Sequence, residues 1–311
     1  MIYQFKDSDR LPALGALTAG MGIVGTSVTA NKFVVGNIPI MLASGIRFLI
    51  GASLLLIIVR LVEDGLPRIS FRMHLVLAAQ ALFGIVAFNV LILIGLDMTT
   101  ATISGIMTAA TPAIIALMSF ALGDRLSLTA WMGVFLAIGG VVLVNLLASP
   151  SDDAARRPLL GGLLVFLAVV GEAAYTVLGR YAARAISPFA TATYICIYGT
   201  VMFLPFAIRD LRGFQPANVP ASTWIAILYL AVVVTVVAFV LWFKGLAVIP
   251  ASVAGAFTGM IPVTAVASAA LLLHERVGLP HLLGIVCVLA GILLVANARS
   301  APLAATSPVS L

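Results

Sequence analysis

One carboxylate stands inside the apolar run LLGGLLVFLAVVGEAAYTVLGR, residues 159–180. Glu172 lies 13 residues along it, roughly 20 Å at the 1.5 Å rise of a helix. A carboxyl group so placed could carry a proton or hold an ammonium group. Alternatively it is one member of a structural ion pair, with Arg180 along its own helix or with Arg47, Lys32 or Lys244 across a bundle. Tyr175 follows one turn later, and Gln80, Asn89, Thr108, Thr258 and Trp242 are the other polar atoms in apolar runs that could meet a solute. Pro112 and Pro262 lack the N–H that would bond the carbonyls of Thr108 and Thr258, four residues back. Where no water is at hand, a freed carbonyl must find another partner. Threonine hydroxyls or neighbouring helices could serve, as simple kink repair or as two polar spots on a pathway. Thr235, Phe239 and Trp242 share a helix face, which suits packing, an interfacial belt or one wall of a site.

The stretch GMGIVG, Gly20–Gly25, is literally a G-x-G-x-x-G. A dinucleotide loop needs a preceding strand and an acidic residue about 20 positions on. This one lies within an apolar helix, and Ser44, Gly45, Ile46 and Arg47 occupy the later positions. Packing explains it better: Thr18, Gly22, Gly25 and Thr29 form one small-residue face, along which helices can approach closely or slide. No cofactor is expected. His74, His274 and His281 stand apart at helix ends, so no metal site is expected either, and the pattern holds no H-E-x-x-H, G-x-S-x-G or paired intramembrane aspartates that would mark an enzyme.

The elements that position these residues follow from composition. The chain is 62% hydrophobic and 9% charged, against about 25% charged in soluble domains. Such a chain is covered by lipid, and its net charge of +6 is scattered between apolar runs rather than gathered into a nucleic-acid footprint. Cys196 and Cys287 fall inside apolar runs and read as core filling. No cleavable leader is evident. Ten runs approach the roughly 20 apolar residues a crossing needs: 11–31, 38–60, 75–96, 100–122, 128–147, 159–179, 188–208, 222–243, 251–273 and 281–298. Pro12, Pro39, Pro158, Pro188 and Pro280 stand near their heads, where a missing N–H costs nothing. Ser187 is placed to cap the run at 188.

The chain also repeats itself. Laying residues 95–125 over 245–276 puts Gly95 on Gly245, Ala101 on Ala251, Gly105 on Gly255, Thr108 on Thr258 and Pro112 on Pro262. After one inserted residue, Gly133 falls on Gly284 and Gly140 on Gly291. Pro39 and Pro188 extend the match to the second and seventh runs. Five helices is an odd number, so the second half enters the membrane inverted. With both termini in the cytoplasm, ten basic residues lie inside and six outside, as the positive-inside rule favours. Inverted repeats are typical of carriers that hold a solute at the repeat interface.

The stretches GLDMTTATISGIMTAATPAIIALMSFALGDRL and GLAVIPASVAGAFTGMIPVTAVASAALLLHERV resemble the EamA-type repeat of the drug/metabolite transporter superfamily. The resemblance covers about residues 11–298. It departs at the Gly-Glu-Arg-like end, where Asp124 and His274–Glu275 stand. It implies an all-α membrane protein of ten helices in two inverted five-helix repeats, 11–147 and 159–298, joined by a linker at 148–158. A short cytoplasmic N-terminus, 1–10, and a disordered tail, 299–311, flank them. It also implies a monomeric exporter of small metabolites in a bacterial inner membrane, amino acids including aromatic ones, with a pathway lined by helices one, three, four, six, eight and nine. Expected partners are the solute, membrane lipid and protons. The expected wall, small and apolar with Gln80, Asn89, Thr108, Glu172, Tyr175, Thr258 and Trp242, suits a solute with a zwitterionic end and an apolar body. It suits neither a sugar nor a phosphate, for which only Arg47, Lys32 and Lys244 are at hand. The pairs Asp124–Arg125 and Glu275–Arg276 are expected to tie locally at helix ends. The competing readings are a drug or other metabolite permease or a channel-like facilitator of the same fold, an intramembrane enzyme and a sensor.

Overall fold

The fold was analysed in a computed structural model of the full chain, which describes residues 9–99, 107–124, 126–147, 157–274 and 278–297. The N-terminal segment, Arg125, the linker, Glu275, Arg276 and the tail discussed above lie outside the described residues, as does the start of the run at 100. All regular structure among the described residues is helical. We number the helices α1 (Arg10–Lys32), α2 (Ile40–Val62), α3 (residues 71–98), α4 (Thr111–Ala121), α5 (Leu128–Leu147), α6 (Pro158–Ala185), α7 (Pro188–Asp210), α8 (Ala221–Val248), α9 (residues 251–273) and α10 (Leu279–Asn297). Helix thus lies over each of the ten apolar runs. Seven of the described helices are long and apolar enough to cross a membrane, and Thr111–Ala121, Leu128–Leu143 and His281–Asn297 are apolar but shorter.

The surface explains the composition. Leu11, Leu61, Leu128, Leu159 and Leu271 are each more than three-quarters exposed. Large side chains of this kind can face lipid but not water without penalty. Inside, hydroxyls turn back on their own helices. Thr18 donates to the Leu14 carbonyl, Thr193 to Phe189 and Thr200 to Cys196 at 2.7–2.9 Å, so apolar segments tolerate them. Ser187 Oγ accepts from the Ala190 N–H at 3.0 Å, the cap its place before Pro188 predicts.

Glycine sets how the halves meet. A Cβ on Gly133 would lie 2.6 Å from the Gly291 carbonyl oxygen, and one on Gly140 would lie 2.6 Å from that of Gly284. These are the residues that the repeat superposes, so α5 and α10 touch through matched positions. The partner number falls as the residue number rises, so these equivalent helices run antiparallel, as inverted repeats require. The second helices do the same: Gly45 abuts Ala207, and Phe48 stacks on Phe203 with ring centroids 5.7 Å apart. The first and third helices exchange partners. Gly245 of α8 packs on Leu17 of α1, while Gly95 of α3 packs on Val165 of α6.

Two features were not expected. The third helix of each half contains a π segment, Leu82–Ala87 in α3 and Leu230–Val237 in α8. The prolines also sit differently from the reading above. Pro112 falls in the first turn of α4, after a break at Ala110. Pro262 follows the 3-10 turn Gly255–Gly259 that interrupts α9. Each therefore opens a new helical stretch, where no donor is lost.

Candidate functional site

A cavity of about 260 Å³ opens between the halves, walled by α1, α2, α3, α6, α8 and α9. On α6, Glu172, Tyr175 and Thr176 point into it from one face, at spacings of three and four residues. Two glycines seat that face against the π segment of α3. A Cβ on Gly171 would lie 2.6 Å from the Phe83 carbonyl oxygen, and one on Gly84 would overlap the Tyr175 ring. The Tyr175 ring packs against Phe239 and Phe243, with centroids 6.4 and 6.0 Å apart. Together with Phe48, Phe88 and Trp242 this makes one side of the cavity aromatic.

Glu172 meets neither Arg180 nor Arg47. Its Oε2 accepts from Thr111 Oγ1 at 3.2 Å, and the same hydroxyl lies 2.8 Å from the Thr108 carbonyl oxygen. A threonine hydroxyl has one hydrogen, so it serves one acceptor at a time. When Glu172 carries a proton it donates to Thr111 Oγ1, and both contacts form at once. Arg180 is engaged elsewhere: its Nη1 donates to the Leu246 and Ile249 carbonyl oxygens at the end of α8. Lys32 and Lys244 are exposed. The ion-pair alternatives for Glu172 are thus replaced by a hydroxyl contact. Asp124 accepts from Ser252 Oγ at 3.1 Å across the halves, while its expected partner Arg125 lies outside the described residues.

Arg47 enters from α2. Its Nε donates to Thr235 Oγ1 at 2.6 Å, and Thr235 donates to the Leu230 carbonyl at 2.9 Å, inside the π segment of α8. Among the described residues its terminal nitrogens make no hydrogen bond. Trp242 is buried, lines the cavity and leaves its indole N–H without an acceptor.

Of the residues named from the sequence, Asn89, Glu172, Tyr175, Trp242 and Thr258 line the cavity. Asn89 Nδ2 donates to the Ile85 carbonyl at 2.6 Å, filling a bond of the widened turn. Gln80 and Thr108 are not among the lining residues. Gln80 is fully buried and donates to the Tyr175 carbonyl at 3.1 Å. Thr258 donates to the Gly255 carbonyl at 2.7 Å. Gly25 marks the crossing of α1 and α9, where a Cβ would overlap the Ile261 carbonyl oxygen, and Thr29 Oγ1 lies 2.7 Å from Ser268 Oγ. Gly22 has room for a methyl group, 3.6 Å from Thr264. Arg47 and Thr111 escaped the sequence reading as site residues, and Thr235 was named only with Phe239 and Trp242 as a possible wall. For Arg47 the signal existed, since any ionisable residue within a span suggests a function.

At one end the bundle is sealed by the Arg180 and Ser252 contacts, where α6, α8, α9 and α4 meet. Toward the other end the cavity reaches Asn31, which is exposed. A solute-sized chamber, closed at one end and reached from the other, sits between two antiparallel repeats. The model of the EamA-like transporter family matches this chain twice, at residues 11–146 and 159–297.

The chain belongs to the EamA-like transporter family. It is 36% identical over 294 residues to the "Uncharacterized transporter YetK" of Bacillus subtilis (strain 168), covering 94% of this chain and 89% of that one. It is 26% identical over 275 residues to the "Uncharacterized transporter YyaM" of the same organism, covering 86% and 88%. A solved crystal structure shares the fold with a TM-score of 0.78 at 18% identity, covering 93% of this chain and 96% of the other. The transporter is a multi-pass membrane protein.

Proposed function

We propose that this transporter exports amino acids, hydrophobic and aromatic ones included, by alternating access between its two repeats. The observation that carries the reading is the cavity. It has an aromatic wall, and it holds Glu172 and Arg47, two opposite charges that do not pair with each other. A ligand site is typically apolar with a few placed polar groups, and these suit a zwitterion with an apolar body. The site residues on this reading are Arg47, Asn89, Glu172, Tyr175, Trp242 and Thr258, with Gln80 and Thr108 supporting the helices that carry them. Pro112, Pro262, Gly22 and Gly25 lie where helices bend or cross. Ten helices cross a bacterial inner membrane, both termini are cytoplasmic, and the protein works as a monomer. In that topology the sealed end is cytoplasmic and the cavity faces outward. Glu172 moves a proton through its contact with Thr111 as the solute leaves.

Purified protein in liposomes tests the reading. Counterflow of phenylalanine and leucine is expected, stimulated from the opposite side as a carrier requires and a channel does not permit. Flux of a nucleotide-sugar or a triose phosphate without amino-acid flux would reject it. A reporter fused to the C-terminus should report the cytoplasm.

A further inference from the structure

We infer that Arg47 and the Trp242 indole N–H form an acid-binding end of the cavity, so that the transporter selects its solute by a carboxylate. The inference rests on the export reading above and narrows its substrate class to amphipathic carboxylates, with or without an amine.

The argument begins with unused donors. A guanidinium has five N–H groups in a rigid fork that matches a carboxylate. Only Nε of Arg47 is occupied, by Thr235. That bond fixes the plane of the group and leaves the outer nitrogens free of protein hydrogen bonds among the described residues. Among the described residues no carboxylate pairs with it, and Glu172 is held by Thr111 instead. The Phe48 ring, its centroid 5.5 Å from the guanidinium carbon, offsets part of the cost of keeping a cation here, but it supplies no acceptor for the open fork, which an anion completes. The second observation is independent. Trp242 is 2% exposed, lines the same cavity and has an unbonded indole nitrogen. A buried N–H of that kind normally has a partner. Both groups are donors lining one cavity, so what they lack is an acceptor, which a carboxylate supplies. The aromatic rings of Phe48, Tyr175 and Phe239 border the same space and suit the remainder of the solute.

Thr235 is a positioning residue. It receives the Arg47 Nε–H while giving its own proton to Leu230, five residues back. That bond exists because the helix is π-wound there, so the orientation of Arg47 depends on the π segment.

The test is calorimetric binding to the detergent-purified, full-length protein, with three compounds that share a phenyl ring. Phenylalanine has both charges, 3-phenylpropionate only the carboxylate, and 2-phenylethylamine only the ammonium. Wild-type protein should bind both acids. Arg47→Gln should weaken both acids by about tenfold to a hundredfold, the scale of hydrogen bonds to a charged group, and leave the amine within about twofold. Arg47→Lys should recover part of the loss, because a point charge lacks the fork. Thr235→Val should weaken the acids by a smaller factor while Arg47 is intact. If Arg47→Gln does not fold, the Arg47→Lys and Thr235→Val variants carry the same comparison. Equal acid affinity in these variants and wild type would overturn the inference, as would an equal loss for the amine or no acid binding by wild type. Arg47-dependent binding of 3-phenylpropionate without phenylalanine binding would uphold the anchor and reject the amino-acid reading. Phenylalanine binding that ignores Arg47 would do the reverse.

Discussion

In the first half the third helix is π-wound at Leu82–Ala87, and in the second at Leu230–Val237, close to the same place in the repeat. The glycines that let helices touch are matched as well. Side chains at the cavity are not. The repeat puts Ile261 on Thr111, and the matched contacts of Gly95 with Val165 and Gly245 with Leu17 put Val24 on Glu172. The contact between halves Glu172–Thr111 thus answers to Val24 and Ile261, and all but Thr111 line the cavity. Likewise, Arg47 with Thr235 answers to Cys196 with Ile85. Each polar contact across the cavity has an apolar counterpart related by the pseudo-symmetry. Backbone geometry was kept where both halves need it for packing, and each charge was placed without a counterpart, Arg47 on the first half and Glu172 on the second. Two conformers of an inverted pair are mirror versions of each other only as far as the side chains agree. Because neither charge has a charged counterpart in the other half, the two conformers are chemically unequal, which suits directional transport.

The symmetric element should be the most fragile. A side chain on Gly140 would strike the Gly284 backbone, which cannot rotate away, whereas Gly139 has nothing within 4 Å. Gly140→Val should therefore cost about 3 kcal/mol or more, the upper end of overpacking, and yield little folded protein. Gly139→Val should melt within about 0.5 kcal/mol of wild type, as surface changes usually do. Gly291→Val should behave like Gly140→Val, because it meets the Gly133 carbonyl oxygen at 2.6 Å. Size-exclusion profiles and thermal melts in detergent decide this. Equal stability of the Gly139 and Gly140 variants would break the proposed crossing.

The asymmetric element should fail in activity and not in fold. Glu172→Gln keeps a donor for Thr111 Oγ1, so both hydroxyl contacts can persist, but the amide cannot release a proton. Transport should fall by about tenfold or more, a barrier change near 1.4 kcal/mol, and the pH dependence of the remaining flux should flatten. The melting temperature should stay within a few degrees. Val24→Thr at the related position should change flux less than twofold, since no proton or ion is lost there. A misfolded Glu172→Gln variant would show instead that the carboxylate serves structure.

Much of the scaffold was legible because lipid demands long apolar runs and helix crossings demand small residues. Gly133, Gly140, Gly284 and Gly291 were matched by spacing alone and then met each other in space. The site was less legible, for a reason particular to membrane helices. In water, one face of a helix is polar and reveals its rotation. In α2 the lipid-facing Leu56 and Ile57 and the buried Leu55 are alike in kind, so nothing local indicates that Arg47 turns inward. The π segments leave no compositional trace, as their extra residue per turn depends on how α6 and α2 pack against them. Thr111 was hidden by its neighbour: Pro112 drew attention to the carbonyl of Thr108, and the hydroxyl that satisfies that carbonyl also meets Glu172.

The smallest effect expected is also the finest test of the comparison. Pro112 and Pro262 are matched, and each begins a helical stretch after a break, so replacement by alanine removes no hydrogen bond and adds one donor near the break. The change in stability should stay under about 1 kcal/mol, the usual scale for proline exchanges that the backbone tolerates. The effect should appear in the balance between conformers. Met260–Leu273 follows a turn whose residues are all buried, so its proline helps hold α9 against α1 at Gly25 and Ile261. The first-half proline holds α4 against Glu172 on α6. Relaxing one contact frees the half that closes one end, and relaxing the other frees the half that closes the opposite end. With Cys196 and Cys287 replaced, a probe at Asn31→Cys reports the open end and one at Ser252→Cys the sealed end. Pro112→Ala and Pro262→Ala should shift the ratio of labelling rates at these two positions in opposite directions, each by about twofold to fivefold, a bias of up to about 1 kcal/mol. Shifts in the same direction would mean that the two breaks are hinges of one motion and that the repeats do not exchange roles.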